Sequence, residues 1–442
     1  MTTMIEAIES LLIARKRPFW YVGTTALARI RNESAPLNAS IVADTTNAER
    51  NELLSLATHA AGAPDPSGLS GAQQITLDCL NGATLPSYLA TCGFTAEAIA
   101  VNLGGSIVDP CSGIKHTENK QLRTLKSPDR AFRDKPILLL RMPRLVSETA
   151  CTPNTDIRRL ASRDAGNILD IKERDHWGQE LNGLLMGQSI ERALQLMHDT
   201  RVLPFLLPEV AAMVGFDKSC SVHHKDIWDH TKLVTQKASR HLVVRWAALC
   251  HDIGKIWTRS VNRQGKVHFF RHEDHGALLF ESIAHRVGLD NELTRRVSYL
   301  IANHSRVNLY EDEWTDSAVR RLIRQTDGHL TDLLMFSKAD FTTKKQAKIA
   351  AMQRHLANLE SRIDEIRTLD AKQPPLNKGI GAAIIEHFAL PPSRAIGDLK
   401  RLLEQEVEYG TLPERADDMT YLTWLDTSEA AQAIIETARR TP

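Results

Sequence analysis

The 442-residue chain can hold more than one hydrophobic core, and its formal net charge of +1 with 25% charged residues offers no global basic field, so any nucleic-acid surface must be local. Six cysteines, Cys79, Cys92, Cys111, Cys151, Cys220 and Cys250, lie scattered without a Cys-x-x-Cys pair, which argues against a disulfide framework or a zinc ribbon and fits a reducing compartment. No apolar run approaches the roughly 18 residues that span a bilayer, and the start MTTMIEAIES lacks a charged-then-apolar signal, so a cytoplasmic protein without membrane attachment is expected.

Residues 1–20 read as an amphipathic helix, with Ile5, Ile8, Leu11, Leu12 and Ala14 on its apolar side, running into an extended FWYVG. Between 21 and 110, short extended runs (IVAD, QQITLDCL, AIAVNL, SIVDP) alternate with helical ones such as NAERNELLSLATHA, the pattern of a mixed sheet with helices. From about 140 the extended runs almost vanish and helical periodicity dominates to the C-terminus. The expected fold class is therefore α+β, a small mixed-sheet head followed by a long all-helical body. Boundaries are expected at 1–142 for the head, 143–215 for a helical neck, 216–345 for a central helical domain and 346–442 for the remaining body and tail, with a helix break at Ala371-Lys372-Gln373-Pro374-Pro375.

The stretch from His224 to His304 dominates the chemistry. Candidate metal ligands recur there and just beyond it: His230 in DIWDHT, the pair His251-Asp252 in LCHDIGK, His272 in FRHEDHG, His304 in IANHS, and Asp340 in KADF. Each follows an apolar helical stripe. Val244, Ala247 and Ala248 lead to His251 at i, i+3, i+4 and i+7, and Leu293, Val297, Leu300 and Ile301 lead to His304 in the same way. Imidazoles and carboxylates buried from separate helices are costly unless something pairs them, and a divalent cation does so. Mixed N/O ligation suits magnesium, manganese, iron, cobalt, nickel or zinc, so one or two divalent ions are expected without an assignment of the element.

The ordered set His, His-Asp, His, His, Asp resembles the HD superfamily of metal-dependent phosphohydrolases. The resemblance implies a helical domain in which His230, His251, Asp252 and Asp340 hold one metal, while Asp252 bridges to a second held by His272 and His304. His272 and His275, one helical turn apart, compete for one role. His272 is preferred because Glu273 and Gly276 match the family's His-Glu-x-x-Gly pattern, with Phe269 and Phe270 ending an extended approach to it; His275 is then free to meet substrate or solvent. Lys255 could reach a substrate phosphate as a point charge, or be a solvated lysine after a helix end.

Nearly the whole chain resembles the tRNA nucleotidyltransferase and poly(A) polymerase family of CCA-adding enzymes that carry an HD domain. VNLGGSIVDPCSGIKHTENKQLRTLKSPDRAFRDKPILLLRMPRL is similar to the family's Gly-rich hairpin, Asp-Pro-x-x-Gly and Leu-Arg helix, IKERDHWGQELNGLLMG to its neck helix, and LPPSRAIGDLKRLLEQEVEYGTLP to its C-terminal body. The head departs from that pattern at the transferase site. Where the family has Gly-Gly-x-x-Arg-Asp this chain has Val22-Gly23-Thr24-Thr25-Ala26-Leu27-Ala28-Arg29. Where Asp-x-Asp holds magnesium it has Ser40-Ile41-Val42-Ala43-Asp44, and where Arg-Arg-Asp precedes Phe-Thr it has Thr91-Cys92-Gly93.

Local basic runs (Lys120, Arg123, Lys126, Arg130, Arg133, Lys135; Arg320, Arg321, Arg324, Lys344, Lys345, Lys348) read either as solvated helix faces or as phosphate-tracking surfaces. The resemblances imply a phosphohydrolase, acting as phosphomonoesterase or 2′,3′-cyclic phosphodiesterase on a nucleotide or RNA end, with tRNA as one candidate partner and with an inactive transferase head. The rivals are an active CCA-adding tRNA nucleotidyltransferase and a non-catalytic RNA-binding protein.

Overall fold

The computed structural model describes residues 3–33, 38–60, 74–172, 175–216, 226–264, 266–326, 328–342, 345–371 and 375–440. His224, Cys220 and Lys344, and part of the expected break at 371–375, lie outside the described residues; the helix Gln346–Ala371 ends where that break was read. The chain divides into two compact units, Met1–Leu359 and Glu360–Pro442.

The first unit opens with helix α1 (Met4–Ala14), started by Thr3, whose hydroxyl accepts from the Glu6 amide while the Glu6 carboxylate accepts from the Thr3 amide. Strands β1 (Phe19–Val22), β2 (Asn38–Ala43), β3 (Gln74–Cys79), β4 (Ala100–Val101) and β5 (Ile107–Val108) form one sheet in the order β3-β2-β1-β4-β5. β2 and β3 are parallel and the other pairs antiparallel. Helices α2 (Gly23–Ile30) and α3 (Asn47–Ala60) follow β1 and β2. Strand alternation then sorts the side chains. Ile41 and Ala43 join Ile8, Leu12, Leu53 and Ala57 under α1 and α3, while Val42 turns to the opposite face with Val22, Leu85, Leu89 and Ala100. This is the expected small mixed-sheet head.

Helices carry the rest of the unit. The sequence LVVRWAALC forms a helix, α4 (Leu242–Cys250), in which every residue is buried, because it lies in the middle of a bundle and needs no polar face. It packs against α5 (Ile227–Lys237), α6 (Asn291–Asn303) and α7 (Leu330–Asp340). Arg245, buried in α4, donates to the carbonyls of Leu185, Gly187 and Ala238, which ties this helix to the end of the neck helix Asp175–Met186. Burial and nearby Arg240 lower its guanidinium to about 10.

One local departure concerns the body, in which extended runs were expected almost to vanish. A two-stranded hairpin, Arg259–Val261 with Val267–Phe269, interrupts it in the register Arg259↔Phe269 and Val261↔Val267. Three-residue strands are too short to leave a periodic signal, although the extended approach at Phe269 was legible. In the second unit, Ile380–Phe388, Arg394–Glu408, Asp418–Thr427 and Glu429–Arg440 surround Ile384, Leu399, Leu403, Tyr421, Leu425 and Ile435. No helix among the described residues is long and apolar enough to cross a membrane.

Candidate metal centre

Helix ends deliver most of the six side chains. His251 caps the C-terminus of α4, His304 caps that of α6, and Asp340 is the last residue of α7. Three C-terminal ends, each carrying partial negative charge, thus point at one place, an arrangement that favours a cation. His272 opens the helix His272–Val287, and His230 projects from the second turn of α5.

The ligand atoms fall into two groups. His230, His251 and Asp340 form one and Asp252, His272 and His304 the other, and within each group the atoms lie within 4.8 Å of one another. Asp252 faces both. Its Oδ2 is 3.3 Å from His251 Nε2 and 3.9 Å from His230 Nε2, and its Oδ1 is 3.8 Å from His272 Nε2. Asp340 Oδ1 lies 3.0 Å from His230 Nε2 and 3.6 Å from His251 Nε2.

The imidazoles are held in the form a metal requires. The Nδ1 atoms of His251, His272 and His304 donate to the carbonyls of Ala248, Phe269 and Ile301 at 3.0, 3.0 and 2.8 Å, so each Nε2 carries a lone pair directed inward. His230 Nδ1 is 3.0 Å from Thr342 Oγ1. The Nε2 atoms of His251 and His272 are buried and have no hydrogen-bond partner. Such atoms cost free energy unless a ligand completes them, and this is the observation by which the donor set fits a divalent ion.

The histidines divide electrostatically: burial would lower His251, but Asp252 and Asp340 beside it raise it, whereas the other two shifts run downward. Burial, reinforced by His251, pushes His304 down to about 4, so it is neutral near pH 7. Burial and Lys255 likewise lower His272. Burial alone would raise the Asp252 carboxyl, but His251 and Lys255 beside it hold it well below the usual carboxylate range. Lys255 Nζ stands 2.8 Å from both Asp252 oxygens, so this lysine faces the centre rather than open solvent. The pocket is lined by His230, His251, Asp252, Lys255, His304, Asp340, Phe341 and Thr342 and has a volume of about 300 Å³.

Two glycines bring the halves together. A Cβ on Gly254 would sit 2.1 Å from the His272 carbonyl oxygen and 2.8 Å from the Gly276 amide nitrogen, both backbone atoms that cannot swing away. Gly254→Ala should therefore drive the His251-Asp252 turn off the helix that carries His272, lowering stability by about 1–3 kcal/mol and reducing metal content. Chemical denaturation and metal analysis of that variant are the check, and a wild-type result in both would contradict the packing described.

His272 lies in the second ligand group and His275 in neither among the described residues. The His275 ring centroid is 6.3 Å from that of Trp257. His272→Ala is expected to lower metal stoichiometry and stop turnover, whereas His275→Ala keeps the metal and changes substrate affinity at most. Measured side by side, the reverse pattern would move the ligand assignment to His275. Thr342, the partner of His230 across 112 residues, was not found from sequence, because a hydroxyl two residues after a ligand carries no signal of its own.

In the head, the sheet face that bears Ser40 and Val42 also bears Asp78, the parallel partner of Val42, whose Oδ2 accepts from the Tyr88 hydroxyl at 2.6 Å. Asp44 stands one residue past the end of β2 and is exposed. Arg29 lies over Tyr21 and pairs with Glu9 at 3.0 Å. A Cβ on Gly93 would meet Leu138 Cδ2 at 2.1 Å, so the space beside Gly93 is filled by a leucine side chain. Beside it Glu97 pairs with Arg141 at 3.4 Å and with Arg144 at 3.2 Å, and Arg144 also pairs with Glu148 at 3.0 Å and Glu180 at 2.5 Å. Of the basic run before the neck, Lys135 donates to the Thr91 carbonyl at 2.6 Å and Arg133 lies 3.8 Å from Asp164.

With fold and site in view, the class is an α+β protein whose helical body carries an HD domain: residues 227–331 match the HD domain family. Beyond that domain, the chain is similar to tRNA nucleotidyltransferases of the A-adding and multifunctional CCA kinds. It is 28% identical over 331 residues to the A-adding tRNA nucleotidyltransferase of Deinococcus radiodurans, covering 71% of this chain and 73% of that one. It is 31% identical over 214 residues to the multifunctional CCA protein of Pseudomonas paraeruginosa, 46% of this chain, and spans about half (50%) of that protein's length. The crystal structure of the Bacillus stearothermophilus CCA-adding enzyme in complex with CTP aligns over 96% of this chain and 97% of that one, with 16% identity and a TM-score of 0.47.

Proposed function

We propose that this chain is a metal-dependent phosphohydrolase acting on a nucleotide or an RNA end, as a phosphomonoesterase or a 2′,3′-cyclic phosphodiesterase, on a scaffold whose transferase site has lost its metal-binding carboxylates. The observation that carries this reading is the pair of ligand groups sharing Asp252. His230, His251 and Asp340 would hold one ion and His272 and His304 the other, with Asp252 between them. Divalent ions at these positions supply Lewis acidity and bring the pKa of a water from near 16 to about 7. Lys255, within reach of the same pocket, neutralises charge at a phosphate oxygen, and His275, one turn beyond His272, meets the substrate. The six ligand positions come from the body alone, so the head would act in binding RNA or in packing.

A second reading is supported by the likeness to the A-adding tRNA nucleotidyltransferase and by Asp78, a carboxylate still carried on the sheet face of the head. On that reading the chain adds nucleotides to tRNA, and the HD domain is an accessory. A screen of phosphoesters separates the two. Hydrolysis of 2′,3′-cyclic nucleotides or nucleoside monophosphates that disappears on chelation and returns with added metal is the expected result, and the absence of any such hydrolysis would remove the first reading.

A further inference from the structure

The residues between the two halves of the metal centre carry a feature that ligation does not use. Trp257 and Phe270 are 51% and 70% exposed, among the largest rings left open to solvent. Both stand at the foot of the hairpin: Trp257 is two residues before its first strand and Phe270 is the residue after its last, where the register pairs Arg259 with Phe269. That foot is tied to the centre at both ends. Lys255, two residues before Trp257, contacts Asp252, and the residue beside Phe270 on the other side, Phe269, accepts from His272 Nδ1. Lys255 Nζ also lies 5.8 Å from the Phe269 ring centroid. Phe270 already stacks with His268, parallel at 5.0 Å and 6°, while His275 lies tilted beside Trp257 at 6.3 Å and 45°. Arg259, Arg263, Lys266 and Arg271 bring positive charge to the same hairpin.

An exposed apolar ring costs solvation and does not add to the core, so two of them, each two residues along the chain from a residue of the centre (Lys255 and His272) and on a hairpin that carries basic residues, match the needs of a nucleotide: a phosphate over the centre and a base on a π-face. A base paired inside a duplex has both faces covered by its neighbours and cannot stack there. We propose that Trp257 and Phe270 form a stacking ledge for the base of an unpaired nucleotide whose phosphate sits at the metal centre. This deepens the phosphohydrolase reading and rests on it for the placement of the phosphate, while the preference for a base is independent of turnover.

The test compares binding of adenosine 2′-monophosphate and of ribose 5-phosphate, which lacks a base, to manganese-loaded protein by calorimetry. Wild type should bind the nucleotide at least about tenfold tighter. The double variant Trp257→Ala, Phe270→Ala should lose that preference while retaining its manganese and its affinity for ribose 5-phosphate. Trp257→Leu, Phe270→Leu keeps apolar area at these partly exposed sites and should lose the preference likewise. A wild type without preference, or variants that retain it, would overturn the ledge. If the preference is present and ring-dependent but no phosphoester is hydrolysed, the ledge stands and the phosphohydrolase reading falls.

Discussion

Asp252→Ala is expected to release bound metal and to lower phosphohydrolase turnover by about a thousandfold or more, since the ions carry the hydrolytic chemistry. Asp252 is the one residue in either group with an oxygen turned to each: Oδ2 toward His251 and His230, Oδ1 toward His272. Its loss also leaves Lys255 without the carboxylate it contacts and His251 without its nearest negative charge, so Asp340 is left as the carboxylate among the imidazoles, beside an ammonium. Cations should then be held far more weakly. Asp252→Asn, which keeps the shape and removes the charge, should behave almost as severely. Elemental analysis of the two variants with circular dichroism to verify folding is the check, and unchanged metal content in folded protein would remove the central role of this residue.

The second large effect is an expected absence. The protein should add neither CMP nor AMP to a tRNA lacking its 3′ end above the level seen without enzyme. Phosphoryl transfer gains its rate from positioning and from neutralising charge at the phosphates, and Asp-x-Asp supplies the metal for both. Here Ser40 and Val42 occupy the strand face, Leu138 fills the space beside Gly93, and Glu97 is engaged by Arg141 and Arg144. Incorporation of labelled CMP or AMP measured against a no-enzyme control decides the matter. Template-independent addition that Asp78→Ala abolishes would favour the transferase reading instead.

What the sequence made legible follows from where the information lies. A histidine at the end of an apolar stripe announces that it is turned inward, which is why His251 and His304 could be placed before any coordinates; both indeed sit at helix C-termini, buried. The mixed-sheet head showed in short extended runs such as IVAD alternating with helical ones between residues 21 and 110. Other features depend on residues far apart in the chain and leave no local pattern. Thr342 behind His230, Leu138 against Gly93, and Glu180 reaching Arg141 and Arg144 across 39 and 36 residues could be seen only once the chain was folded. Gly254 belongs to an intermediate case: it lies within the LCHDIGK stretch, but the reason for a glycine there, a backbone approach to His272, lies in three dimensions.

The central claim is that the body holds a metal-dependent hydrolytic centre. Its most direct test is a titration of metal-stripped protein with manganese, following ion binding by equilibrium dialysis and hydrolysis of a 2′,3′-cyclic nucleotide in the same samples. The account predicts saturation at one or two ions per chain, with hydrolysis rising in step with occupancy and absent without it. Protein that retains no ion at saturation, or hydrolysis that proceeds independently of ion content, would contradict it.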